Sequence, residues 1–185
     1  MVEEPVLRAD LALFTTPNRR PDGTPWVNNA GLGWVSEYDR RTWKYVVDVA
    51  ESAARAGFDE IQFDYVRFPS DGDVDGAVYG NPLGLKKLQA IPAFLRYARR
   101  ELRPYKVRLG AALFGLSAAR DMGIGQLPRD IAPHVDTVYA MTYPSLFGPG
   151  ELGVADPGST PGETVARALA QFQKRLRGTD ALLVP

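Results

Sequence analysis

The chain has 185 residues, 45% hydrophobic and 24% charged, which is the make-up of one globular domain with a sizeable core. Its 22 basic side chains balance 22 acidic ones, so charge gives no reason to expect nucleic acid or a membrane surface as a partner. Cysteine is absent, which excludes disulfides, thiolate metal sites and a cysteine nucleophile, and a single histidine cannot build a histidine zinc cluster. No apolar run is long enough to span a bilayer, and Met1-Val2-Glu3-Glu4-Pro5 has neither the basic start nor the apolar core of a signal peptide.

Residues 1–38 read as irregular, with a turn at Pro21-Asp22-Gly23-Thr24-Pro25, where proline presets one dihedral and glycine permits the positive one. Asp39 then suits a helix N-cap, and Trp43, Val46, Val47, Ala50 and Ala54 recur at helical spacing until Gly57 stops the run. A strand through Asp64 follows at once. After a loop containing Pro69-Ser70-Asp71-Gly72-Asp73, a second helix is marked by Leu85, Leu88, Ile91, Leu95 and Ala98, with Pro92 near its start and Pro104 at its end. Val107 to Phe114 reads as a strand, Leu127 to Ala132 as a short helix, and Val135 to Thr142 as another strand. Thr160-Pro161-Gly162-Glu163 has the form of a capping box and predicts a helix with a buried stripe of Val165, Leu169, Phe172 and Leu176. Gly178 stops it, and Ala181 to Val184 begins a strand.

Strands alternating with helices, without hairpin signals, predict an α/β fold with parallel strands. A doubly wound sheet and a barrel fit that alternation equally. No nucleotide fingerprint follows a first strand, because Gly123-Ile124-Gly125 lacks the third glycine and no phosphate-loop lysine follows.

The strand before Asp64 favours the barrel. Ile61, Phe63 and Tyr65 are apolar or aromatic, while Gln62 and Asp64 between them are polar, so both faces are put to use. In a (β/α)8 barrel one face meets the helices and the other lines the barrel, which would point Gln62 inward and put Asp64 at the C-terminal rim, where such folds keep their active sites. A purely structural Asp64 would instead cap the next loop or pair with Arg67. Glu60 shares its face but lies at the other end of the strand, a structural position.

Several motifs carry a resemblance. Phe58-Asp59-Glu60-Ile61-Gln62-Phe63-Asp64-Tyr65-Val66-Arg67-Phe68-Pro69 is preceded by Trp26-Val27-Asn28-Asn29 and Gly33-Trp34-Val35. Phe114-Gly115, Asp121-Met122-Gly123-Ile124-Gly125-Gln126 and Met141-Thr142-Tyr143-Pro144-Ser145 follow in order. Together they resemble a bacterial family of glycoside hydrolase domains of unknown function within the TIM-barrel glycosidase superfamily. The resemblance implies an incomplete (β/α)8 barrel, roughly strands four to seven with their helices, the whole of 1–185 being one partial domain truncated at both ends. It also implies a polysaccharide or glycoconjugate substrate, and export or association with the cell envelope.

Glycoside hydrolysis uses two carboxyl groups about the scissile bond. Asp64 is the first candidate. Asp121, in the loop after the next strand and inside a family-like motif, is the second, with a turn-capping role as its structural alternative. The expected substrate contacts are Gln62, Tyr65, Arg67, Trp26, Trp34, Phe114, Gln126 and Tyr143, since sugar sites combine aromatic platforms with hydrogen-bonding groups, an extension of the general mix in ligand pockets. Arg67 would either turn toward the cleft and steady the Asp64 charge or form a solvated rim ion pair. Asp71, Asp73 and Asp75 alternate as in a calcium loop, but the closing glutamate is missing, and neither a metal nor a cofactor is assigned. His134 falls at the wrong end of its strand for catalysis. A non-catalytic carbohydrate-binding barrel of the cell envelope is the rival reading. A Schiff-base aldolase is disfavoured because Lys44, Lys86, Lys87, Lys106 and Lys174 lie on helices or at a strand start.

Overall fold

The computed structural model describes residues 18–185, so the first part of the irregular N-terminal segment and the signal-peptide reading at its start lie outside the described residues. The elements in chain order are α1 (Arg40–Arg55), β1 (Glu60–Phe63), α2 (Lys87–Leu102), β2 (Arg108–Phe114), a single-turn α3 (Pro128–Ile131), β3 (Thr137–Met141), α4 (Pro161–Arg175) and β4 (Leu182–Val184), with short 3-10 turns between them. The four strands form one parallel sheet in the order β1-β2-β3-β4. Among the described residues no helix is long and apolar enough to cross a membrane.

The first helix starts as its sequence dictates: the Asp39 carboxylate accepts the Arg41 backbone N–H at 2.8 Å, filling one of the donors that every helix N-terminus leaves open. Trp43, Val47 and Ala50, spaced four and three apart, form its buried face. Phe94 of α2 meets the Trp43 ring edge-on at 5.9 Å and the Phe63 ring of β1 at 5.2 Å, so one aromatic side chain joins both helices to the sheet. Pro92 lies inside α2, where it removes one ladder donor in the second turn without ending the helix.

Helix α4 begins where expected but by another device. Thr160 makes no side-chain cap; its hydroxyl donates to the Asp156 carbonyl at 2.8 Å, and Glu163 pairs with Arg167 instead of reaching back. The most deeply buried stripe is Thr164, Ala168 and Phe172, with Val165 and Leu169 half-buried beside it. Small residues face inward here because the helix packs closely on the turn after β2.

Pleating sorts the sheet into two faces. Ile61, Phe63, Leu109, Ala111, Leu113, Val138 and Ala140 are buried in the main core under the helices. The other face carries Glu60, Gln62, Arg108, Gly110, Ala112, Phe114, Tyr139 and Met141. At its N-terminal end the Glu60 carboxylate pairs with Arg108 at 2.9 Å and accepts the Tyr139 hydroxyl at 3.1 Å, bridging three strands. Gly110 makes that bridge possible: a Cβ there would lie 2.6 Å from Tyr139 Cε2 and 3.0 Å from Glu60 Oε1. Gly110→Ala is therefore expected to displace the ring and lower stability by about 1–3 kcal/mol, read as a shift in the urea midpoint at unchanged slope.

Candidate active site

Parallel strands bring their C-terminal ends to one edge of the sheet, and β1 delivers Asp64 there, exposed to solvent and just past Phe63. The chain then turns sharply. Tyr65 has φ +51°, a left-handed conformation that costs a non-glycine residue of order 1–3 kcal/mol, and such strain gathers at functional sites. Asp64 Oδ1 supports the turn by accepting the Tyr65 N–H at 2.8 Å, and the Tyr65 carbonyl accepts the Arg67 N–H at 2.8 Å. Val66 and Phe68 are driven into the core while the Tyr65 ring stays half exposed.

The same turn aims Arg67 into a group of aromatic rings. Its guanidinium carbon lies 5.3 Å from the Trp34 ring centre, 5.3 Å from Tyr65 and 5.9 Å from Phe114. Trp34 is held by its indole N–H, which donates to the Arg67 carbonyl at 3.2 Å, and it meets Tyr65 edge-on at 6.2 Å. Neither expected ion pair forms: Arg67 has no carboxylate within 4 Å among the described residues, and its Nη1 donates to the Phe68 carbonyl at 3.1 Å and Ser70 Oγ at 3.0 Å. Burial pulls the guanidinium below its ordinary pKa, opposed by Tyr65, Asp71 and Asp64.

Gln62 is exposed on the open sheet face, two residues before Asp64, and Tyr143 stands 60% exposed just past β3. Three other expected site residues have structural duties. Gln126 is fully buried: its Oε1 accepts the Phe114 N–H at 2.9 Å while Nε2 donates to the Val66 and Ala112 carbonyls at 3.1 and 3.2 Å, which leaves nothing for a substrate. Trp26 is fully buried as well, its indole N–H donating to the Asp73 carbonyl at 2.6 Å, so no sugar ring can stack on it. Asp121 takes the turn-capping alternative: Oδ1 accepts the Gly123 N–H at 2.8 Å, and the side chain does not line the cleft beside Asp64. Gln126 and Trp26 latch the loops that frame the rim, which explains their bulk there.

A carboxyl that does share that cleft is Glu37, which no sequence motif singled out. The cleft, of about 130 Å³, is lined by Trp34, Glu37, Trp43, Asp64, Tyr65 and Arg67 together with apolar side chains of α1 and α2. Glu37 Oε2 accepts a long bond of 3.4 Å from Asn18 Nδ2, and Oε1 is buried with no hydrogen-bond partner among the described residues. Burial pushes this carboxyl up from 4.5 to about 8, against the smaller opposing effects of its own backbone N–H, Asn18, Lys87 and Trp34. Glu37 therefore holds a proton at neutral pH. Asp64 and Glu37 thus bring one solvent-facing and one buried carboxyl group to a single cleft.

A family model described as "putative glycosyl hydrolase domain" matches residues 8–185. The chain belongs to this family. None of the curated proteins matches it. Among solved structures, a hypothetical protein from Ruminiclostridium thermocellum is 35% identical, with a TM-score of 0.48 over 58% of this chain and 52% of that one. The spore cortex-lytic enzyme SleL of Bacillus megaterium is 17% identical, with a TM-score of 0.51 over 80% of this chain and 30% of its own. A Group IV chitinase of Ostrinia furnacalis, solved with allosamidin, is 18% identical, with a TM-score of 0.44 over 58% of this chain and 26% of its own. The chain thus spans about half of the first of these proteins and under a third of the other two. The likeness to SleL concerns the fold alone, an α/β arrangement with a parallel sheet in this chain.

Proposed function

We propose that this domain is a glycoside hydrolase of polysaccharides or glycoconjugates, and that its four strands are a consecutive part of a (β/α)8 barrel, roughly the fourth to the seventh. The observation that carries the reading is Asp64, exposed at the C-terminal end of a parallel strand and set among Trp34, Tyr65 and Arg67. Barrel enzymes place their chemistry at that end of the strands. Family membership supports the same reaction class.

Asp64 acts at the anomeric carbon, as nucleophile or as the base that activates water. Glu37, kept protonated by its apolar surroundings, donates its proton to the departing glycosidic oxygen. Trp34 and Tyr65 offer faces to the sugar rings, and Gln62 and Tyr143 supply hydrogen-bonding groups along the rim.

A panel of cell-wall and storage glycans, assayed for new reducing ends and titrated against tryptophan fluorescence, tests the proposal. Hydrolysis with quenching that is lost in Trp34→Phe is expected. Binding at this rim without hydrolysis of any glycan would favour the non-catalytic carbohydrate-binding reading, and binding confined to the N-terminal end of the strands would overturn the site.

A further inference from the structure

The Arg67 guanidinium is drawn out of water among three aromatic rings, yet only one of its three nitrogens is used. Nη1 makes both of its hydrogen bonds, to the Phe68 carbonyl and Ser70 Oγ. Nε and Nη2, which together form the edge that binds a carboxylate through two parallel N–H···O bonds, have no acceptor among the described residues. Six other arginines, Arg41, Arg55, Arg99, Arg108, Arg120 and Arg167, each hold an Asp or Glu, whereas Arg40, on the Trp43 and Tyr97 rings, has no carboxylate within 4 Å among the described residues, like Arg67. Two carboxylates are near enough to be felt by Arg67, Asp64 and Asp71, and neither closes on it. Asp64 is held by the Tyr65 turn.

Half-burial costs the guanidinium part of its hydration, while Nε and Nη2 still reach solvent, where an anion can complete the edge. The aromatic faces of Trp34, Tyr65 and Phe114 offset part of that cost and hold the fork still, so little freedom is lost when an anion docks. We infer that the glycan recognised at this rim carries a carboxylate, and that Arg67 reads it through Nε and Nη2 in the subsite adjoining Asp64. The inference rests on the proposed glycan site and adds the chemical class of its ligand: an acidic sugar. That carboxylate has two chemical sources, a uronic acid or a lactyl ether on an amino sugar.

Both sources are distinguished by equilibrium titration of the full chain, followed by calorimetry. One arm uses a glucuronate-containing tetrasaccharide and its carboxyl-reduced counterpart; the other uses an N-acetylmuramate-containing disaccharide and its amide. At least one acid is expected to bind ten times or more tightly than its uncharged partner, and the arm that shows the gap identifies the source. Arg67→Gln should abolish the gap, weakening the acid far more than its uncharged partner. Arg67→Lys, which keeps the charge without the fork, should retain only part of the gap and guards against a variant that fails to fold. Equal binding of acid and uncharged analogue, no binding of either acid, or an equal loss for both ligands in Arg67→Gln would each overturn the inference. Turnover is not the readout, so absence of hydrolysis leaves the result intact; hydrolysis of neutral glycans alone, with no acid preference, removes the inference and spares the hydrolase reading.

Discussion

Asp64→Asn is expected to abolish glycan hydrolysis by about a thousandfold or more while leaving fold and glycan binding nearly intact, since a thousandfold corresponds to only about 4 kcal/mol of barrier. The substitution is clean for a structural reason. Among the described residues the one bond that the Asp64 side chain makes runs from the Tyr65 N–H to Oδ1, and an asparagine presents an equivalent oxygen in the same place. The strained turn therefore keeps its support, and what is removed is the charge that would attack or stabilise an oxocarbenium-like centre. Turnover of purified protein, binding by titration and the melting temperature separate the alternatives. Normal turnover in a well-folded variant would sink the catalytic assignment, whereas a lower melting temperature with unchanged activity per folded molecule would make Asp64 a turn residue.

Glu37→Gln is expected to change how stability depends on pH. The carboxyl titrates near 4.5 in the unfolded chain and near 8 in the folded one, so between those values the folded protein holds a proton that the unfolded chain has released. The stability that Glu37 contributes is complete below pH 4.5 and is lost as the pH rises through about 8. At about 1.4 kcal/mol for each pH unit, the swing is of order several kcal/mol. Glutamine copies the shape of the protonated acid and does not titrate. The variant should match the parent near pH 5, exceed its stability by about 2 kcal/mol or more at pH 8, and flatten the curve between, as read from urea midpoints. If Glu37 is the proton donor, the same variant loses turnover at every pH, and the alkaline fall in parent activity reports the group's pKa. A parent protein with flat stability from pH 5 to pH 8 would contradict a buried, protonated Glu37.

What the amino-acid order determined by itself is what depends on near neighbours. Asp39 and the spacing of Trp43, Val47 and Ala50 define α1 because a cap and a helical face are local matters. The alternation from Glu60 to Phe63 put Glu60 and Gln62 on the face opposite the helices and left Asp64 just past the strand end, because successive side chains of a strand must point to opposite sides. The parallel order of β1 to β4 likewise follows from strands alternating with helices.

Tertiary structure decided everything that distant segments share. Gln126 looked like a polar rim residue, but its amide is consumed by Val66 and Ala112, 60 and 14 residues away. Trp26 looked like a platform, yet it is sealed under Asp73, 47 residues on. Arg67 was readable as a partner for Asp64, but the left-handed turn at Tyr65 swings it onto three aromatic rings instead. Glu37 was the least legible, for its proton depends on burial among Asn18, Trp34 and Lys87, groups drawn from three parts of the chain. A carboxyl's chemistry is set by the solvent it loses, and that loss exists only once the chain has folded around it.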